Sequence, residues 1–217
     1  MVKLKEKDFI KLDYTGRIKE NNEIFDLTSE ELAKKEKIYN KEFKYGSKII
    51  CIGQKEIIPA IDEFLIDKEE NKSYILELNP EKAFGKRDPK LIKIISTQNL
   101  IKQKINPYPG LSILNGNMFG IIKSVTPGRT LVDFNHPLSS KSLIYELETH
   151  EIIKDSKIKL QNLIKNSLNQ NPKIEIIENK ATIELNLPEQ TQKMFIDIIK
   201  NLIPELKEIT LKKQPKK

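Results

Sequence analysis

Between stretches that alternate apolar and polar residues lies a segment of different character, and that interruption limits what this chain can fold into. Residues 9–18 set Ile10, Leu12 and Tyr14 on one side and Lys11, Asp13 and Thr15 on the other, the period of a half-buried strand. The same period returns in Tyr74, Leu76 and Leu78, and then not until Leu143, Tyr145 and Leu147. From Lys86 to Val132, eight basic residues face Asp88 alone, which accounts for the whole formal net charge of +7. The flanking strands therefore read as one β domain whose chain leaves and returns around a basic module.

That module has its own strand signals. Residues 91–96 are β-rich, a short helical stretch lies near 97–103, and Asn115-Gly116 sits between Leu111–Leu114 and Met118–Lys123 as a hairpin signal. Pro127-Gly128 makes a second turn before Thr130–Phe134. A small all-β insert is expected at 87–131, within a discontinuous host of residues 1–86 and 132–153. In the host, residues 19–47 form a polar excursion with a helical stretch near 29–37, and Ile49–Ile52 is a short strand ending at Gly53. Pro59 suits the first turn of a helix, which would present Ile61, Phe64 and Leu65 on one face.

Beyond Ile153 the pattern becomes α-β-β-α-β. Leu160, Leu163, Ile164 and Leu168 mark a helix; Ile174 and Ile176, then Ile183 and Leu185, mark two strands. Phe195, Ile198, Ile199 and Leu202 mark a second helix after Pro188, and Ile209 and Leu211 a last strand, before a basic end expected to fray. Residues 154–217 are thus expected to form a small α+β domain with enough apolar surface for a modest core or a homodimer face.

Composition removes several function classes. One cysteine, Cys51, excludes an internal disulfide framework and points to a reducing cytoplasm. No apolar run approaches the ~20 residues that span a bilayer, so no membrane partner is expected. The start lacks the apolar core of a secretory signal. His136 and His150 are too few and too isolated for a metal site, and no glycine-rich phosphate loop appears, so no metal or cofactor is expected.

Tyr14-Thr15-Gly16, Phe25-Asp26, the run Gly53–Leu65, Ala83-Phe84-Gly85 and Val132–Leu138 are short motifs, but their order and spacing are specific. Together they resemble the SlyD-like branch of the FKBP-type peptidyl-prolyl cis-trans isomerases, or rotamases, over most of residues 8–150. The resemblance implies an α+β fold in which a curved antiparallel sheet wraps a short helix. It also implies an insert in the flap that binds unfolded chains, and the extra C-terminal part resembles that of longer archaeal-type members.

Isomerising an X–Pro bond needs no nucleophile. The barrier of ~18–20 kcal/mol comes from amide resonance, and twisting the bond moves charge off the carbonyl oxygen. A dry apolar cleft therefore favours the twisted amide over the planar one. The resemblance assigns catalysis to Tyr14, Asp26 and Phe84, and substrate binding to Phe25, Ile57, Ile58, Ile61, Leu138 and Tyr145. Asp26 would be a buried carboxylate holding Tyr14 or polarising the cleft, and the Ile58 N–H would hold a substrate carbonyl. Client capture would fall to Leu111, Ile113, Met118, Phe119 and Ile121 of the insert. Taken singly, Phe25, Ile57, Ile61 and Tyr145 equally suit the core of any small β domain, and Asp26 equally suits a turn. The chain departs from the pattern at Phe84, where many relatives have Tyr, and at Ala60, where they have Gly.

Three readings follow. The first is a prolyl isomerase whose insert captures unfolded or nascent polypeptides. The second is a holdase chaperone with a weak or vestigial cleft. The third is a basic adaptor contacting nucleic acid or the ribosome, which calls for aromatics among the basic residues; the insert offers only Tyr108 and Phe119.

Overall fold

Strand β1 (Phe9–Ile18) organises the larger of two units in the computed structural model, which describes residues 2–213. The expected frayed end falls mostly outside those residues. After β1 come β2 (Ile24–Leu27), α1 (Glu30–Lys35), β3 (Lys48–Cys51), α2 (Pro59–Leu65) and β4 (Lys72–Leu78). The insert contributes β5 (Ile92–Ser96), α3 (Thr97–Lys102), β6 (Ser112–Asn115), β7 (Met118–Val125) and β8 (Arg129–Asp133). Then follow β9 (Leu143–Ile152), α4 (Ser156–Leu168), β10 (Ile174–Ile177), β11 (Lys180–Glu184), α5 (Glu189–Leu202) and β12 (Glu208–Lys212).

In the larger unit, β1 is long enough to carry two partners on one edge. Its first half pairs antiparallel with β3, from Phe9↔Cys51 to Leu12↔Lys48, and its second half with β2. Strand β9 borders β1, and β4 follows outside it. The pairing with β2 is irregular: Gly16 faces Asp26 but Arg17 faces Ile24, so Phe25 is the extra residue of a β-bulge. Helix α1 is capped by Ser29, whose Oγ accepts from Leu32 N at 3.2 Å. Helix α2 begins with Pro59, as expected, and buries Ile61 and Leu65.

The C-terminal elements share this unit. Leu160, Leu163 and Ile164 of α4 and Phe195, Ile199 and Leu202 of α5 pack in one apolar core with Phe9 of β1 and Cys51 of β3. Ile198, expected on the buried face of α5, is 44% exposed. Strands β10 and β11 form a hairpin, and β12 lies parallel to β11, the crossover supplied by α5.

The smaller unit, Ile18–Asn22 with Glu77–Leu143, holds a four-stranded antiparallel sheet in the order β5-β8-β7-β6. Its core is Leu100, Ile113, Ile122, Val132 and Phe134. Asn115 pairs with Met118, so the hairpin turns at Gly116-Asn117, one residue later than the dipeptide signal suggested. Gly116 takes φ 61°, which glycine adopts without strain.

Candidate active-site cleft

The loop before α2 is fixed by a buried acid. Asp62, 3% exposed, accepts from the backbone N–H groups of Gly53 and Lys55, both at 2.9 Å. That anchor presents Glu56, Ile57 and Ile58 opposite the middle of β1. There a cavity of about 200 Å³ is lined by Tyr14, Asp26, Lys48, Glu56, Ile57, Ile58, Ile61 and Tyr145. Larger hollows lie elsewhere in the same unit, so what singles this one out is not size but the residues it gathers: two tyrosines and three isoleucines around Asp26, Lys48 and Glu56.

Of three clustered rings, Tyr14 and Tyr145 line the cavity, while Phe25, expected to bind substrate there, packs against Tyr145 without being one of the lining residues. The Tyr14 and Tyr145 centroids are 6.1 Å apart at 60°, and those of Phe25 and Tyr145 5.7 Å apart at 84°, both edge-to-face. The bulge lets neighbouring Phe25 and Asp26 serve the same cluster, although adjacent residues of a regular strand point to opposite faces. Gly16 faces the bulge because nothing larger fits: a Cβ there would lie 2.7 Å from Phe25 Cζ and 3.0 Å from Tyr145 Cε1.

Tyr14, 7% exposed, donates its hydroxyl hydrogen to Asp26 Oδ2 at 3.0 Å and accepts from Lys48 Nζ. Burial first, and the Asp26 charge next, hold the Tyr14 hydroxyl far above the usual phenol range. Tyr145 is raised for the same two reasons. Both stay neutral donors at any physiological pH. Asp26 is half-buried rather than buried. Ile58 precedes the first turn of α2, and its N–H finds no acceptor among the described residues.

Lys48 and Glu56 are the cavity residues that sequence reasoning missed, since a charged residue on a short strand or loop reads as solvated surface. Glu56 Oε2 accepts from Cys51 N at 3.1 Å and from Asn166 Nδ2 at 3.0 Å. Burial raises the Glu56 carboxyl, against those two hydrogen bonds. Asn162 of α4 also donates to the Ile49 carbonyl at 2.6 Å, so α4 grips both the strand and the loop that wall the cavity.

Phe84 and Leu138 belong to the smaller unit. Phe84 stacks on His136 with centroids 4.2 Å apart, and its carbonyl accepts from Ser139 Oγ at 3.3 Å. Of the residues expected to capture clients, Phe119 is 56% exposed and Met118 36%, while Leu111 and Ile121 are half-buried. Ile113 is 4% exposed and belongs to the insert core, so it offers no surface: its side of β6 faces Leu100 and Ile122. Leu114 and Ile94, at 68% and 62%, are the most exposed of several apolar insert residues outside that expected set, Ile101 and Tyr108 among the others. No helix among the described residues is long and apolar enough to cross a membrane.

Comparison with known proteins finds the family described as FKBP26, IF domain, at residues 93–138. The short-type peptidyl-prolyl cis-trans isomerase of Methanocaldococcus jannaschii is 30% identical over 149 residues, 69% of this chain and 94% of that protein. A probable FKBP-type 16 kDa peptidyl-prolyl cis-trans isomerase of Pseudomonas fluorescens is 26% identical, over 46% of this chain and 69% of its own. The FKBP-type 16 kDa enzyme of Escherichia coli K12 is 25% identical, over 46% of this chain and 70% of its own.

Proposed function

The chain belongs to the FKBP-type peptidyl-prolyl cis-trans isomerase family, and on that premise we propose that it isomerises X–Pro bonds of unfolded or partly folded polypeptides in the cytoplasm. The observation that carries this reading is the Tyr14–Asp26 hydrogen bond at the wall of a cavity where two tyrosines and three isoleucines meet Asp26, Lys48 and Glu56. A proline ring seats against Tyr14, Ile57, Ile61 and Tyr145, away from water. The free Ile58 N–H takes a substrate carbonyl and fixes one side of the bond. The amide then twists in surroundings that solvate its planar, more polar form poorly, which lowers the barrier without any covalent step.

The insert takes the role of client capture. Leu114, Met118 and Phe119 expose apolar surface on the β6–β7 hairpin, and Ile94 does so on β5. An extended chain adds to a strand edge through main-chain hydrogen bonds, which tolerates many sequences. The same exposed surface favours a second reading, a holdase with a weak cleft, since Phe84 lacks the hydroxyl common at that position. The C-terminal elements are assigned a homodimer face, for which Met194 and Ile198 stand exposed one turn apart on α5.

A protease-coupled assay on an X–Pro peptide, run beside an aggregation assay on an unfolded client, separates the readings. Acceleration that is lost in Asp26→Ala supports the isomerase. Suppressed aggregation without acceleration leaves the holdase.

A further inference from the structure

Lys48 opens β3 at the cavity and spends its charge in an unusual way. Its ammonium donates to the Tyr14 hydroxyl and lies 4.9 Å from the centre of that ring, so the side chain folds along the aromatic wall. Among the described residues it has no carboxylate partner, for none of the ion pairs includes it. Neither acid of the cavity pairs with it directly. Asp26 receives the Tyr14 hydroxyl, and Glu56 is held by Cys51 and Asn166. An ammonium has three N–H groups, and only one is used here.

We propose that Lys48 selects substrates carrying an acidic side chain within two residues of the prolyl bond. The inference rests on the isomerase reading above and deepens it. A peptide seated in the cavity displaces water from around the ammonium, and an attraction between charges strengthens as the local dielectric falls. A carboxylate beside the proline would fill the two unused N–H groups. The insert carries the same sign of charge, with eight basic residues against Asp88 between Lys86 and Val132. Capture and catalysis would then favour the same acidic segments.

The alternative occupant of Lys48 is a backbone carbonyl, which every substrate has. The experiment separates the two. Matched peptides differing only in Glu, Leu or Lys beside an unchanged X–Pro bond are compared for kcat/KM with the full chain, at low and high salt. In the wild type, Glu should exceed Leu, and Leu exceed Lys, by about two- to fivefold per step at low salt, with the spread narrowing in high salt. Lys48→Met should flatten the series and Lys48→Glu should reverse it, with circular dichroism reporting that both variants fold. An order unchanged in Lys48→Glu overturns the proposal. So does an equal loss for all three peptides, which marks a carbonyl contact. Peptide affinity by fluorescence anisotropy is measured in parallel. If no peptide is accelerated but affinity follows the charge at position 48, the isomerase reading falls and the charge selection stands. If affinity ignores that charge, the selection is wrong.

Discussion

Gly16 faces Asp26 across the β1–β2 pair, while its own missing side chain leaves the space that the Phe25 ring fills, 2.7 Å from where a Cβ would sit. One irregularity in strand pairing thus positions the cleft's acid together with a ring that packs against its Tyr145. Replacing Gly16 with Ala forces Phe25 and Tyr145 to shift, and overpacking of this kind costs ~1–3 kcal/mol. The expected result is a melting temperature lower by roughly 2–10 °C, together with reduced isomerase activity. Full activity in a stable Gly16→Ala variant would show that the ring cluster does not shape the site.

Tyr14→Phe keeps the ring contacts and removes the hydroxyl that bridges Lys48 and Asp26. A hydrogen bond to a charged group contributes ~1.5–3 kcal/mol, so kcat/KM should fall about tenfold or more if that bond supports the twisted amide. Far-UV circular dichroism should not change. Asp26→Ala should show the same loss, and combining the two should add little, since both remove one unit.

Phe84→Tyr restores a hydroxyl while keeping the stack on His136. Activity on peptides should be equal or higher, because a hydrogen bond to a substrate carbonyl contributes ~0.5–1.5 kcal/mol. A clear loss in kcat/KM would mean that Phe84 does not occupy the position that the resemblance assigns.

Asp13 makes a prediction about acid. Burial alone would raise its carboxyl, but hydrogen bonds from Thr28 and Ser47 and the nearby His150 bring it below its usual 3.8. A group whose pKa is lower folded than unfolded stabilises the protein above its unfolded value, and that stability disappears as pH falls through the folded value. Stability should therefore decline below about pH 4, and Asp13→Asn should blunt that decline. Chemical denaturation from pH 7 down to 2.5 reads both curves.

The strands were the most legible part of the chain. Period-two alternation locates β1, β4 and β9 because alternate residues of each are the more deeply buried, even though β1 also buries Phe9 on its other face, and Pro59 marks the start of α2. The bulge at Phe25 left no trace, since Ile24–Leu27 contains neither glycine nor any other break in pattern. Tyr14 and Asp26 are legible as site residues only through the resemblance; local chemistry alone makes Tyr14 one residue of a half-buried strand and Asp26 a turn former. Lys48 and Glu56 were invisible because what engages them, Tyr14 and Asn166, lies 34 and 110 residues away. The placement of Ile113 inside the insert follows from Gly110, Leu111 and β6 turning back over β7, a tertiary fact that alternation in four residues cannot fix.

Cys51 offers a probe of the larger unit. It is buried beside Phe9 and the C-terminal helices, and burial first, with the charge of Glu56 next, pushes its thiol up to about 12. It should resist thiol reagents in the native state. Leu160→Ala, which removes a fully buried side chain from the same core, should cost ~2–5 kcal/mol and raise the labelling rate of Cys51 in step. Labelling that stays slow in a destabilised Leu160→Ala variant would show that the C-terminal helices open without β3.

That shared core also sets a timetable. Phe9 leaves the ribosome early, yet the core it belongs to includes Leu202, Ile203 and Leu206. At ~5–20 residues per second, roughly 10–40 s of synthesis separates the strand from its last neighbours. During that interval a chain proposed to act on other unfolded polypeptides has its own founding strand without part of its core.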